Sequence, residues 1–238
     1  MNNENQPLDT NNLRLLKNLY ILVVDDDSEL LENIKSTISI FCNNVYTAKN
    51  GKEALEILDK CSIDMVLTDY VMPIMNGYEF CQTVRATNQN IPIVILSNYS
   101  DNEKLLKLIP LNLTQYLIKP IDYTSLIAVL SKMVEKLYES GLVYEQITQE
   151  LQYDRISKIL KNKEEIIALT KNETLLLELF LKNKNALVAN NVISYNIKDD
   201  GLTHQAIKNL IHRFRNKIGK EVIVNIKDMG YMLVVNDV

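Results

Sequence analysis

The 238-residue chain contains no stretch of about 18 uncharged apolar residues, so no membrane span is expected. Its first residues are asparagine-rich and lack the apolar segment that a secretory signal needs. There are only three cysteines. Cys42, Cys61 and Cys81 fall in separate predicted elements, without metal-like spacing or an obvious pairing, and read as reduced thiols. Tryptophan is absent, and the two histidines, His204 and His212, fall on one predicted helix with no acidic or thiol partners nearby in sequence. A strong excess of one charge is also missing, since the formal net charge is −4. That charge is unevenly spread. Residues 1–147 carry 12 Lys+Arg against 19 Asp+Glu, a formal −7, and residues 148–238 carry 14 against 11, a formal +3. An acidic part joined to a mildly basic one implies different partners for each, although +3 does not by itself establish a nucleic-acid binder. Hydrophobic residues at 47% and charged residues at 24% are ordinary for a water-soluble globular chain of one or two domains.

Four short apolar runs in the first half each end in a polar group. Tyr20–Val24 ends in Asp25-Asp26-Asp27, Met65–Leu67 leads to Asp69, Ile93–Leu96 ends in Ser97, and Tyr116–Ile118 ends in Lys119-Pro120. Runs of this length, rich in β-branched and large aliphatic residues, read as buried strands. Pro73 disfavours helical geometry at Met72 and so places Asp69 at the start of a loop. Between the runs come helical patterns: one capped by Ser28 with Leu30, Leu31, Ile34 and Ile38 on one face, then Glu53–Lys60, Tyr78–Thr87, one starting at Asn102, and Tyr123–Glu139. With Val45–Ala48 as a further strand, five βα units predict a doubly wound parallel sheet. Its carboxyl edge would gather a carboxylate cluster, a lone carboxylate, a hydroxyl and an ammonium, which is where such sheets keep their ligand sites. Three carboxylates so close together require a cation, and oxygen-only ligation with room for water suits Mg²⁺.

These residues resemble the receiver domain of two-component response regulators over residues 19–138. Asp69-x-x-Met72-Pro73-x-Met75-x-Gly77 matches the family's phosphoacceptor pattern. The resemblance implies Asp69 as the phosphorylated residue, Asp25 and Asp26 as Mg²⁺ ligands together with Asp69 and the backbone carbonyl of Val71, Ser97 and Lys119 as phosphoryl-contacting groups, and Ser97 with Tyr116 as the switch pair. It implies a sensor histidine kinase as donor. It also implies a homodimer through the receiver's fourth helix, fifth strand and fifth helix. The family's charged residues on that face are Thr114, Gln115, Val129 and Ser131 here, and Leu105, Leu106, Leu108 and Ile109 are offered instead, so an apolar contact is expected.

Residues 1–18 read as a flexible tail and residues 139–147, around Ser140-Gly141, as a linker. From residue 148, short strand-like pieces at Leu151–Asp154, Lys158–Leu160 and Ile166–Leu169 precede a capping box, Thr170 with Glu173, that opens a helix. A weaker helix is expected over Val188–Ile197. The informative helix spans Thr203–Ile218. Ile207, Leu210, Ile211, Phe214 and Ile218 recur at helical spacing, polar and basic residues fill the rest, and Gly219 ends it. Two strand-like pieces, Val222–Ile226 and Tyr231–Val235, follow around Lys227-Asp228-Met229-Gly230, the layout of a winged helix.

This half resembles the OmpR/PhoB-type DNA-binding domain over residues 148–238, through Leu169-Thr170-x-x-Glu173, Arg213-Phe214-Arg215-Asn216-Lys217-Ile218 and Gly230-Tyr231. The resemblance implies double-stranded DNA as partner, with Gln205, Lys208, Asn209, His212, Arg213, Arg215, Lys217 and Tyr231 as contacts. Gln205 replaces a usual arginine and Lys208 a usual acidic residue, so the target sequence does not carry over. The expectation is a cytoplasmic, non-enzymatic, phosphorylation-dependent transcription regulator. Two other readings stay open: a Mg²⁺-dependent aspartyl-phosphate phosphotransferase or hydrolase, and a receiver used only as a binding module. The first usually needs a second aspartate two residues after the nucleophile, where this chain has Val71.

Overall fold

The computed structural model describes residues 10–87, 90–98 and 106–235. The chain divides between Leu142 and Val143 into two compact units. The expected helix start at Asn102 and the apolar Leu105 lie outside the described residues.

In the first unit, five strands form one parallel sheet: β1 Tyr20–Val24, β2 Asn44–Ala48, β3 Met65–Asp69, β4 Ile93–Ser97 and β5 Gln115–Ile118, in the order β2-β1-β3-β4-β5. The three central strands are buried on both sides, which explains their continuous apolar runs. Leu22, Val24, Val66, Ile93 and Ile95 pack into one cluster with Ala54, Phe80, Cys81 and Val84. Ile21, Val23, Leu67 and Val94 point to the opposite face by the two-residue period and are fully buried as well. Among the described residues the helices with both ends placed are α2 Ser28–Ile38, α3 Gly51–Lys60, α4 Gly77–Thr87 and α5 Tyr123–Glu139, preceded by a short α1, Thr10–Leu15; residues 106–108 are helical as well.

Two expectations are corrected here. The cap of α2 is Asp27, not Ser28: its Oδ1 accepts from the N–H groups of Glu29 and Leu30 at 2.9 and 3.1 Å. Residues 10–18 are not a loose tail. Helix α1 packs on α5, where Asn12 Nδ2 donates to Ser131 Oγ (3.0 Å) and Glu135 Oε1 (3.2 Å), and the following Leu16 and Leu19 are fully buried.

The second unit begins inside the expected linker. Tyr144–Gln146 is a strand, β6, that pairs antiparallel with β7 Leu151–Asp154. Strands β8 Ile159–Asn162 and β9 Glu165–Ile167 complete a four-stranded antiparallel sheet. Three helices follow: α6 Lys171–Lys182, α7 Asn190–Ile197 and α8 His204–Ile218. The stretch expected as one helix from Val188 starts instead as strand β10, Val188–Ala189, against β12. Strands β11 Ile223–Ile226 and β12 Gly230–Leu233 form the terminal hairpin. The unit is a winged helix, with one core running through Tyr153, Leu176, Phe180, Ile193, Leu210, Phe214 and Leu233. A Cβ at Gly230 would lie 2.1 Å from the Val188 carbonyl oxygen, so the hairpin meets β10 only with glycine there.

Candidate phosphoacceptor site and nucleic-acid face

Parallel pairing brings the four polar strand ends together. Val24 pairs with Thr68, Asp69 with Leu96, and Ser97 with Ile118. The chain's own amides lock the ends further: Asp25 N–H donates to Ala48 O (3.1 Å), Tyr70 N–H to Leu96 O (2.9 Å) and Lys119 N–H to Ser97 O (2.8 Å). The Lys119 ammonium stands between two carboxylates, 2.6 Å from Asp25 Oδ2 and 2.8 Å from Asp69 Oδ1. Val71 N–H donates to the other oxygen, Asp69 Oδ2, at 3.1 Å. The backbone N–H of Asp27 donates to Asp25 Oδ1 at 3.0 Å and orients that carboxylate, a contact that no side chain in the sequence announces. Asp25, Asp69 and Ser97 are buried and Asp26 is exposed, so the site opens to solvent on the Asp26 side.

Burial raises the Asp25 carboxyl above its ordinary pKa, a rise that the Lys119 and Asp27 hydrogen bonds oppose without cancelling. Burial also pulls Lys119 down, but its bonds to Asp25 and Asp69 outweigh that and leave the ammonium strengthened. One carboxylate oxygen from each of Asp25, Asp26 and Asp69 lies within 4.8 Å of the others. Three carboxylates against one ammonium leave net negative charge, and an all-oxygen set of this size fits a small hard dication.

The loop after β3 is shaped by Gly77. Its N–H donates to Tyr70 O (3.0 Å), and a Cβ there would sit 2.0 Å from the Asp69 carbonyl oxygen. The backbone at Asp69 therefore tolerates no side chain at position 77. Tyr116 lies on β5 opposite Ile95, half-buried, with β4 between it and the strand of Asp69.

In the second unit, α8 is capped by Thr203, whose Oγ1 accepts from Ala206 N–H at 3.2 Å. The five apolar residues expected on its inner face are all buried. Gln205, Lys208, Asn209, His212 and Arg213 are exposed. Three other expected contacts are placed differently. Tyr231 is 7% exposed and belongs to the core, because β12 turns it inward. Lys217 Nζ donates to Glu173 Oε2 and to Ala168 O, both at 2.8 Å, tying α8 to the start of α6. Arg215 donates from Nε and Nη2 to Lys220 O, closing the end of α8. Asn216, which pairs with His212 across 3.3 Å, shares the exposed face and was missed, although its helical spacing from His212 could have placed it there.

A buried phosphoacceptor-type carboxylate held by a lysine at the carboxyl edge of a five-stranded parallel sheet, followed in the same chain by a winged helix, defines a two-unit signalling protein. Residues 21–131 match the response regulator receiver domain, and residues 163–233 match the family "transcriptional regulatory protein, C terminal". Among curated relatives, the probable transcriptional regulator ycf27 of Cyanidium caldarium is 30% identical over 169 residues, 68% of each chain. The transcriptional regulatory protein QseB of Haemophilus influenzae is 27% identical over 218 residues, 90% of this chain and 98% of the relative. A CheY-like receiver from Methanospirillum hungatei superposes with a TM-score of 0.50 at 20% identity, covering 52% of this chain and 98% of that one. The chain belongs to the response regulators that join a receiver to an OmpR-type DNA-binding domain, and it is a phosphorylation-dependent transcription regulator. No helix among the described residues is long and apolar enough to cross a membrane.

Proposed function

We propose that Asp69 is the phosphoacceptor and that a sensor histidine kinase supplies the phosphoryl group. The observation that carries this is the Lys119 ammonium set between Asp69 and Asp25, with Asp26 at the open side. An Asp69 carboxylate oxygen attacks phosphorus, the bond to the donor's imidazole nitrogen breaks, and the nitrogen leaves with its electron pair. A carboxylate nucleophile carries no proton to be removed, so no base is required. Lys119 then releases Oδ1 and follows the negative charge onto the phosphoryl oxygens, and the Ser97 hydroxyl donates to one of them. Asp25, Asp26, Asp69 and the Val71 carbonyl would hold Mg²⁺, which when bound neutralises charge on the transferring group. Position 71 carries no second carboxylate, which argues against turnover of small-molecule phosphates and for a protein without such enzymatic activity. A DNA partner accords with action in the cytoplasm.

Movement of Ser97 toward the phosphoryl group frees space beside β5, and the Tyr116 ring turns inward to fill it. This relays the event to the face formed by the residues before β5, β5 itself and α5. Leu106, Ile109, Ile118 and Tyr123 are all exposed there, whereas Leu108 is buried, and Val129 and Ser131 are buried rather than presented. A homodimer through this face is therefore held by apolar contact. The exposed side of α8 enters the major groove of double-stranded DNA, with Lys208 and Arg213 at phosphates. We place the phosphoacceptor unit up to Leu142 and the DNA-binding unit from Val143. The test is intact mass after incubation with acetyl phosphate and Mg²⁺. Wild type gains one phosphoryl group and Asp69→Asn gains none. Full labelling of Asp69→Asn would refute the assignment.

A further inference from the structure

At 3.6 residues per turn, Gln205, Asn209, His212 and Asn216 lie within about 40° of the line opposite the buried face of α8. All four are exposed. Lys208 and Arg213 sit on the two flanks of that line. The centre of the helix face therefore holds no lysine, arginine or carboxylate and is rich in hydrogen-bonding groups, and the lysine and arginine stand to either side. On a helix lying in a groove, flanking cations meet the two phosphate walls and the central row meets base edges.

The central row is also pre-arranged. Gln205 Nε2 donates to Asn209 Oδ1 at 3.0 Å, one helical turn apart. This bond orients the Asn209 amide in the free protein by occupying one lone pair of Oδ1. The second lone pair and the Nδ2 donors are left for a ligand, an acceptor and a donor on one amide. Adenine presents N7 as acceptor and N6–H₂ as donor on its major-groove edge, which complements that arrangement. Guanine presents two acceptors, N7 and O6, and needs two donors. The arginine or lysine that would supply two donors is absent from the central row.

We infer that Gln205 and Asn209 act as one recognition unit that selects an A·T pair, with Asn209 touching adenine and Gln205 as the positioning residue that holds its amide. The inference rests on the assignment of α8 to the major groove. The test uses full-length protein, phosphorylated with acetyl phosphate and Mg²⁺, to select from a random duplex library. The expected result is an A·T pair at one position of each half-site, where 7-deazaadenine, which lacks N7, weakens binding about tenfold. Asn209→Ala should abolish the preference at that position and the deaza effect with it. Gln205→Ala should relax the preference, and the double variant should be no worse than Asn209→Ala. A G·C pair selected at the position that Asn209→Ala alters, or independent addition of the two substitutions, would overturn the inference. Lys208→Ala and Arg213→Ala serve as separate arms, expected to weaken all sequences alike. If they do so while no A·T preference depends on Asn209, the recognition unit falls and the helix assignment stands. If no α8 variant changes affinity or preference, the helix assignment itself falls. Both side chains are exposed and outside the core, so loss of folding does not confuse the readout.

Discussion

Replacing Lys217 by Met separates a structural lysine from a DNA contact. Glu173 caps α6 by accepting from Thr170 N–H at 2.8 Å, and its side chain is 3% exposed. Its counter-charge is Lys217, whose side chain is 34% exposed. Burial raises the Glu173 pKa, but the hydrogen bonds from Lys217 and Thr170 outweigh it and leave the carboxyl below its ordinary value. Removing one member of a fully buried pair costs about 3–5 kcal/mol. Water reaches Lys217, so about 2 kcal/mol is the working figure. For a unit of this size that is a fall in Tm of about 10 °C, read by a far-UV circular dichroism melt. Adding Glu173→Gln keeps an acceptor for the cap and removes the stranded charge, so the double variant should regain most of the loss. The sign of the pH effect follows from the depressed folded pKa. The stabilisation is present above the unfolded carboxylate value and is lost as pH falls through the folded one. The gap between wild type and Lys217→Met should therefore be full at neutral pH and close on acidification. The slope of DNA affinity against salt should be unchanged, whereas a phosphate contact would lower it by about 1. An unchanged melt together with a reduced salt slope would refute the argument and return Lys217 to the interface.

Other expectations follow from single contacts. Leu16→Ala should destabilise the first unit by about 2–5 kcal/mol, because Leu16 is fully buried where α1 meets the sheet unit; a change under about 0.5 kcal/mol in chemical denaturation would mean that the segment is not docked. Lys119→Met leaves the clustered carboxylates without their internal cation, so Mg²⁺ should raise its Tm more than that of wild type, and equal shifts would show that the ammonium and the metal do not compete. Dimerisation of the phosphorylated protein should vary little with salt in analytical ultracentrifugation, since Leu106, Ile109, Ile118 and Tyr123 supply the exposed surface; steep dissociation as salt rises would mean that charged pairs hold it.

The candidate site was legible because four of the five strands of the first unit carry a short apolar run that leads into a polar group. Parallel pairing then had only one way to bring those ends together. The inner face of α8 was legible for a similar reason, since five apolar residues keep its period. What escaped depended on contacts distant in sequence. A six-residue helix beside an asparagine run has almost no intrinsic stability, and α1 exists because Leu16, Leu19 and the Asn12 contacts to α5 hold it. The three residues of β6 are too few for an alternation to register. Three consecutive aspartates followed by serine left the cap of α2 ambiguous between neighbours. Lys217 reads as one more basic residue on a basic helix; its partner Glu173 is 44 positions away. Tyr231 follows a conspicuous glycine at a hairpin, and pairing with β10 rather than composition decides that its ring faces inward.

The central claim is that chemistry at Asp69 controls DNA binding by α8. The direct measurement is the affinity of full-length protein for a selected duplex at fixed salt, before and after treatment with acetyl phosphate and Mg²⁺, in wild type and Asp69→Asn. Treatment should tighten binding by wild type and leave Asp69→Asn unchanged. Equal affinity of treated and untreated wild type, with phosphorylation verified by intact mass, would contradict it.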